Sequence, residues 1–400
     1  MTPSDVIELA GVSRPDRVRV VHLSSGHRAG ESRIFRKECR SLARAGYDVT
    51  YVCRGDPHFT PDGADMVQDG VRILTVKRRA GRLGRMVVTP LEIVMVGLRQ
   101  GGTLYHFHDP ELIPLGLILR LLGKRVIYDV HEDVPRDVLV KEWIPRILRQ
   151  PVSLAMALVE WIAARTLSGL VAATPAIARR FPKDSVALVQ NFAFTSELVQ
   201  DGVPVGERRA VTYVGAMSTD RCAIEMVEAI ARVQRNPDIR LIIAGTAHPP
   251  SLIEELSSMA GWSRVDYRGL LDRDGVRGVL AESRVGLVFF RPVQCYLEAQ
   301  PTKLFEYMAA GLAVIAADFP RWREIVEENG CGLCVPPGDV AAIASAIEWM
   351  FEHPAEAHEM GRRGRQIVVN SLNWEREAQE LLRLYARVIG AGHCQDRVAN

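Results

Sequence analysis

The sequence has no G-x-G-x-x-G after its first strand candidate and no G-x-x-x-x-G-K-[ST], so dinucleotide redox chemistry and P-loop hydrolysis lack local support. It also lacks a basic excess. The net charge is +2 at neutral pH, too small for a protein that grips nucleic acid by neutralising phosphates. The cysteines are an odd, scattered set of 7: Cys39, Cys53, Cys222, Cys295, Cys394 and one C-x-x-C, Cys331-Gly-Leu-Cys334. That argues against a disulfide framework and fits a reducing cytoplasm. Without a second pair or nearby histidines, the C-x-x-C reads as structural thiols on a strand rather than a zinc site. No uninterrupted apolar run reaches about 18 residues, since the best, Val152 to Ala164, is broken by Glu160. The first residues are acidic and mixed rather than basic then apolar, so no signal peptide is expected and the chain reads as soluble or peripheral.

What is present is ample apolar material, 48% of 400 residues, more than one core usually organises. Short apolar runs alternate with helical patterns, as in parallel α/β architecture. Strands are predicted at Arg17 to Leu23, Tyr47 to Cys53, Val71 to Val76, Thr103 to Phe107, Arg125 to Val130, Gly169 to Ala173 and Val186 to Val189. Between the first two lies a helix over Ser32 to Ala45, closed by Gly46. The polar stretch Val199 to Glu207 suits a linker. A second series follows at Ala210 to Val214, Arg240 to Ala244, Val265 to Tyr267, Val285 to Phe289, Ala313 to Ala316 and Gly332 to Val335. Helices over Val340 to Phe351, Pro354 to Val369 and Trp374 to Ile389 close the chain. The expectation is two doubly wound domains, 1–195 and 206–370, with a ligand in the crevice at their strands' carboxyl ends. His108-Asp109 and His131-Glu132-Asp133 follow strands of the first domain, and Gly215, Gly245 and Gly269 follow strands of the second.

The most informative stretch is Glu298-Ala-Gln-Pro-Thr-Lys-Leu-Phe-Glu306, running into Tyr-Met-Ala-Ala-Gly311. Thr302 is the expected helix cap and Gly311 the stop, with Leu304, Phe305 and Met308 turned to the core. Lys303 and Glu306 then share one face, near amides at a helix start that suit a phosphate. The chemistry is that of a diphosphate attached to a sugar; the bland alternative is a surface helix with an ordinary i,i+3 ion pair. Arg221, after the glycine turn Tyr-Val-Gly215-Ala-Met-Ser-Thr-Asp-Arg221, can add bidentate contacts to phosphate oxygens, or be a plain loop arginine.

Together these motifs resemble the family-4 retaining glycosyltransferases of GT-B fold. The Glu-x7-Glu spacing of Glu298 and Glu306, the Gly215 turn, Ala-Ala-Gly311-Leu-Ala-Val-Ile and the Asn373-Trp-Glu region carry the resemblance in the second half. In the first half Arg33-Ile-Phe-Arg-Lys-Glu, His106-Phe-His-Asp-Pro-Glu and Tyr128-Asp-Val-His-Glu-Asp resemble a bacterial branch of that family. The resemblance implies two Rossmann-like domains facing a central cleft, with a last helix, about 374–400, crossing back to the first domain. It further implies that Glu306 binds the ribose hydroxyls, Glu298 the transferred sugar, and Lys303 and Arg221 the diphosphate. Thr302, Gly215, Gly269 and Leu270 would line the donor nucleotide, the last two bearing on base choice. His131 would contact the donor, by positioning rather than proton transfer; the alternatives are an acid/base pair with Asp133 or a strand-end cap. His108, Asp109 and Arg33 are acceptor-side candidates, His108 and Asp109 reading equally as a packed polar turn. The family's usual turn is Gly-Arg, whereas this chain has Ala216.

Asp272-Arg-Asp274 has the D-x-D form of a metal site but reads as an acidic helix start. Lys77-Arg-Arg-Ala-Gly-Arg-Leu-Gly-Arg85 precedes an apolar helix at Met86 to Leu98, and the region around Trp143 joins cations to a second, with Trp161. These suit either an anionic membrane surface or a solvated charge run beside core helices. The resulting expectation is a retaining hexosyltransferase without metal or cofactor, in the cytoplasm or peripheral at the inner face of the membrane. It would move a sugar from a nucleotide-sugar donor, UDP favoured and GDP allowed, to a glycan or lipid-linked acceptor. A nucleotide-sugar epimerase or hydrolase, and a non-catalytic nucleotide-sugar-binding homologue, are the alternatives.

Overall fold

The computed structural model describes residues 18–195 and 208–395, apart from 58, 78, 80, 82, 83 and 142. The linker expected at 199–207 lies outside the described residues. The chain divides into two compact units, Met1–Asn191 with Arg376–Asn400, and Phe192–Glu375.

The first unit holds an eight-stranded sheet: β1 (Arg19–Arg28), β2 (Asp48–Arg54), β3 (Asp65–Gln68), β4 (Val71–Val76), β5 (Leu104–Phe107), β6 (Arg125–Val130), β7 (Gly169–Ala172) and β8 (Val186–Leu188). Its order is β3-β4-β2-β1-β5-β6-β7-β8. All neighbours are parallel except the edge pair β3–β4. β5 and β7 are buried on both faces, as a sheet covered by helices on either side requires. The edge strand β3 was not expected. It pairs with β4 through Asp69-Gly70, where φ is +51° and +78°, the two-residue hairpin turn that an Asp-Gly pair favours.

The helix expected over Ser32 to Ala45 is two pieces, a π-helix at Ser32–Cys39 and an α-helix at Arg40–Arg44. Glu31 caps it by accepting from the Ile34 amide at 2.6 Å. The wider winding turns Arg33, Lys37 and Glu38 inward, where Arg33 meets Asp129 and Lys37 donates to Asn191. The apolar helix expected from Met86 likewise begins as a π-turn at Gly84–Val88 and continues as Thr89–Arg99.

Helix Arg146–Thr166 is long and apolar enough to cross a membrane by length and composition. One side is docked on the unit: the Ser153 hydroxyl donates to the Pro135 carbonyl at 2.7 Å, and Glu160, nearly inaccessible, pairs with Arg180. The other side exposes Ile147, Leu154, Leu158 and Trp161, a stripe at helical spacing.

The second unit holds β9 (Ala210–Val214), β10 (Arg240–Ala244), β11 (Val265–Gly269), β12 (Ser283–Val288), β13 (Ala313–Ala317) and β14 (Gly332–Val335). The order β11-β10-β9-β12-β13-β14, all parallel, is the doubly wound pattern with its switch point between β9 and β12. Helix Thr302–Ala309 lies against β12 because Gly286 has no side chain: a Cβ there would sit 2.2 Å from the Tyr307 ring. Tyr307 in turn accepts from the Val214 amide at 2.7 Å, tying the helix to β9. Gly311, at φ +73°, ends that helix as expected. Cys331, just before β14, and Cys334, within it, are free thiols, and Cys331 donates to the Ile325 carbonyl at 3.3 Å.

The last helix, Trp374–Gln395, starts in the second unit and belongs to the first from Arg376 onward. Within the first unit Leu384 and Val388 pack over Gly169, and Glu377 accepts from the Gln190 amide at 2.6 Å.

Candidate functional site

In the second unit β9, β10 and β11 run out into Gly215, Gly245 and Gly269, all at positive φ, +129°, +148° and +63°. The turns interlock: the Gly215 amide donates to Ala244 and the Gly245 amide to Gly269, each at 2.7 Å. A Cβ on Gly245 would sit 2.0 Å from the Gly215 carbonyl, so these strand ends can present only backbone. Leu270, next in line, is 68% exposed.

Lys303 stands beside this bare backbone. A Cβ on Gly215 would lie 3.1 Å from its Nζ, and the ammonium sits 3.6 Å from the centroid of the Tyr213 ring. Part of the side chain reaches solvent, but Nζ itself is buried and has no hydrogen-bond partner among the described residues. Burial, and then the nearby Arg221 guanidinium, hold the ammonium well below the ordinary lysine range against the pull of Glu306. Arg221 closes the turn Thr219–Arg221, donates from Nη1 to the Ala216 carbonyl at 2.8 Å, and lies over Phe290. The Tyr213 hydroxyl donates to the same carbonyl at 2.8 Å, so residue 216 anchors both through its backbone. Arg291, after β12, braces the turn: its amide donates to Asp220 at 2.7 Å and its guanidinium pairs with Glu225.

One expectation and one alternative are corrected here. Thr302 does not cap its helix; Pro301 takes that position and Thr302 is the first helical residue, because the proline's fixed φ sets the helix entry one residue early. Nor is the i,i+3 ion pair the partner of Glu306: its Oε1 accepts from Arg273 Nη1 at 2.8 Å. Arg273 was missed as a site residue. It is the middle of Asp272-Arg-Asp274, whose first carboxylate caps helix Arg273–Glu282 by accepting from the Gly275 amide at 2.8 Å, and whose second pairs with Arg277. Glu298 is exposed at the end of the short helix Gln294–Leu297.

In the first unit the carboxyl ends of β1, β5 and β6 bring Ser24, His27, His108, Asp109 and His131 together. Asp109 accepts from the Ser24 hydroxyl and the Ser25 amide, both at 2.7 Å, and from His27 Nδ1 at 2.9 Å. Burial works against an ionised imidazole at His27, but the Asp109 hydrogen bond and charge overcome it and push His27 up to about 9. The Ser-Ser-Gly-His run at the end of β1 was the available signal for His27. Arg33, His108 and Asp109, the acceptor-side candidates, are all buried and engaged by protein groups, which removes direct contact with an acceptor. His131 keeps 14% of its side chain exposed and lies 3.3 Å from Asp129 Oδ2. Burial dominates over the Asp129 charge and pulls His131 down to about 3, so it is neutral in the fold.

Two family models match, the glycosyl transferase 4-like domain over residues 29–191 and glycosyl transferases group 1 over residues 208–353. The chain belongs to the family-4 glycosyltransferases. It is 28% identical over 203 residues to a phosphatidyl-myo-inositol mannosyltransferase of Mycolicibacterium smegmatis, covering 50% of either chain. It is 26% identical over 155 residues to the D-rhamnosyltransferase WbpZ of Pseudomonas aeruginosa, covering 38% of this chain and 39% of that one. The chain thus spans about half the length, or less, of these curated relatives. Sucrose-phosphate synthase from Thermosynechococcus elongatus superposes with a TM-score of 0.75 at 22% identity, over 94% of this chain and all of that one. Anabaena HepE in complex with UDP gives 0.66 at 14% identity, over 92% and 99%. At such identities these likenesses speak to the fold, GT-B, which the two parallel-sheet units of this chain share.

Proposed function

We propose that this glycosyltransferase moves a sugar from a nucleoside diphosphate donor, UDP-linked in preference to GDP-linked, to a hydroxyl of a glycan or lipid-linked acceptor. The transfer is retaining and needs no metal, and it serves cell-surface polysaccharide or glycoconjugate synthesis. One observation carries the reading: the buried Lys303 ammonium without a hydrogen-bond partner among the described residues, beside the bare backbone of Gly215 and near the Arg221 cation. A diphosphate oxygen supplies a hydrogen-bond acceptor for the Lys303 ammonium, and the glycine turns let it approach main chain. Glu306 takes the ribose hydroxyls, with Arg273 orienting its carboxylate, Glu298 reads the transferred sugar, and His131 positions it. HepE, solved with UDP, supports the base, and the mannosyl- and rhamnosyltransferase relatives support a hexose or deoxyhexose.

In the reaction the anomeric C–O bond to the diphosphate breaks while the acceptor oxygen bonds to the same face of that carbon. The acceptor proton passes to the departing diphosphate. Lys303 and Arg221 stabilise the charge that develops there. A peripheral position at the inner membrane face fits a lipid-linked acceptor, and it is supported by the exposed stripe on Arg146–Thr166, by Trp143 and by the cations Arg146 and Arg165.

A thermal-shift panel of nucleoside diphosphates tests the donor, UDP being expected to raise the melting temperature most by mass action. Incubation with the matching sugar nucleotide and acceptors should then release the diphosphate and keep the anomeric configuration; an inverted product rejects the mechanism. Conversion of the donor without acceptor would favour the epimerase or hydrolase alternative. Ala216, in place of the family's usual arginine, favours a non-catalytic binder, which nucleotide binding without any turnover would support.

A further inference from the structure

Between paired positions β1 advances from Leu23 to Arg28 while its neighbour β2 advances only from Val52 to Arg54. The surplus bulges out of the ladder at Ser24 to His27 and wraps a buried carboxylate. Asp109 accepts there from the Ser24 hydroxyl and the Ser25 amide, both at 2.7 Å. A Cβ on Gly26 would sit 2.3 Å from Asp109 Oδ1, so a residue without a side chain is needed where the bulge passes over it. Arg54 braces the bulge by donating to the Gly26 carbonyl, and the His27 amide donates to Ser24 Oγ at 3.0 Å.

The bulge leaves one of these side chains within reach of solvent. Ser24, Ser25 and Asp109 are buried, whereas His27 keeps 35% of its side chain exposed. Its Nδ1 is turned inward, 2.9 Å from Asp109 Oδ1 and 3.3 Å from Ser24 Oγ. Nε2 makes no hydrogen bond among the described residues. The ring centroid lies 5.3 Å from that of His131 with the planes 37° apart, so two imidazoles stand side by side at the ends of β1 and β6. They differ in charge. Burial dominates at His131 and keeps it neutral. At His27 burial is outweighed by Asp109, with Glu31 ahead of the π-helix and Glu132 after β6 adding to the pull, and the ring stays protonated through neutral pH.

We propose that His27, set on its bulge by Asp109, is a further contact of the transferred sugar, donating from Nε2 to a sugar hydroxyl oxygen beside His131. This contact rests on the reading of His131 as touching the same sugar. An imidazolium can only donate, which suits the lone pair of a hydroxyl. The carboxylates of Asp109, Glu31 and Glu132 around it disfavour a further anion and leave the neutral hydroxyl as its partner.

Calorimetry on the full chain with UDP and with UDP-glucose, a hexose donor used as the probe, isolates the sugar's share of binding. His27→Ala should bind UDP within about twofold of wild type and UDP-glucose about 10-fold more weakly, as expected for the loss of one hydrogen bond to a charged group. His27→Gln, whose amide donates at any pH, should recover most of that loss. As pH rises through about 9, wild type should lose its preference for UDP-glucose over UDP while His27→Gln keeps it; the ratio to UDP cancels the titration of Lys303. Equal UDP-glucose affinity in wild type and His27→Ala overturns the proposal, and so does a wild-type preference that does not change with pH. The second arm needs no variant, so it decides the matter even if His27→Ala does not fold. An undiminished preference in His131→Ala would instead reject the sugar-contact reading beneath it, and wild type that binds neither probe would reject the UDP donor.

Discussion

Lys303 and Glu306 lie one helical turn apart in different surroundings. The lysine ammonium is buried beside Gly215 without a hydrogen-bond partner among the described residues, whereas the glutamate is oriented by Arg273. Lys303→Ala should therefore act on the developing leaving-group charge, lowering kcat by about 100- to 1,000-fold with little change in donor KM. Glu306→Ala should raise donor KM and leave kcat closer to wild type. Steady-state kinetics separates the two, and identical profiles would reject the division of labour. Neither role is visible in spacing alone. The sequence put the two on one face, but it could not say that the cation would be buried or that a third residue, 33 positions away, would claim the carboxylate.

At the scale of elements, the strand ends of the first unit set its response to pH. His22, His106 and His131 are held below the ordinary imidazole range, chiefly by burial, and His131 titrates at about 3. Unfolded, they titrate near about 6.5, so the unfolded chain binds more protons below that pH and stability should fall as pH drops from about 6.5 toward about 3. His27 has the opposite sign. Raised to about 9, it contributes stability that is complete below the unfolded value and lost as pH rises through about 9. Urea midpoints between about pH 4 and about pH 10 should show both arms, and His27→Asn should flatten only the alkaline one. In the second unit the contact of Thr302–Ala309 with β12 depends on Gly286, so Gly286→Ala should cost about 1–3 kcal/mol by overpacking against Tyr307, measured by denaturant unfolding.

For the whole molecule, the exposed stripe of Ile147, Leu154, Leu158 and Trp161 is an apolar surface away from the candidate site residues in sequence. Arg79, in the basic run, pairs with Glu92, while Arg78 and Arg82 lie outside the described residues. If the stripe and the cations act together on anionic lipid, Ile147→Ser with Trp161→Ser should reduce sedimentation with anionic vesicles. Replacing Arg78, Arg79, Arg82 and Arg85 with Ser should make that binding less salt-dependent. Unchanged sedimentation in both variants would remove the membrane.

The sequence by itself determined the alternation of strands and helices, because parallel strands buried on both faces must be written as short apolar runs. It also determined the glycines at the strand ends and the helix stop at Gly311, where backbone conformation excludes other residues. A strand as polar as β3 escaped because its pairing is announced only by Asp69-Gly70, and the π-winding at Ser32–Cys39 escaped because no local pattern distinguishes it from an α-turn. Tertiary structure alone decided the partnerships: Arg273 with Glu306, Arg33 with Asp129, and Tyr385 with His22 across 363 residues. Local sequence can fix what a residue is able to donate or accept, but which buried group meets it depends on segments far apart in the chain.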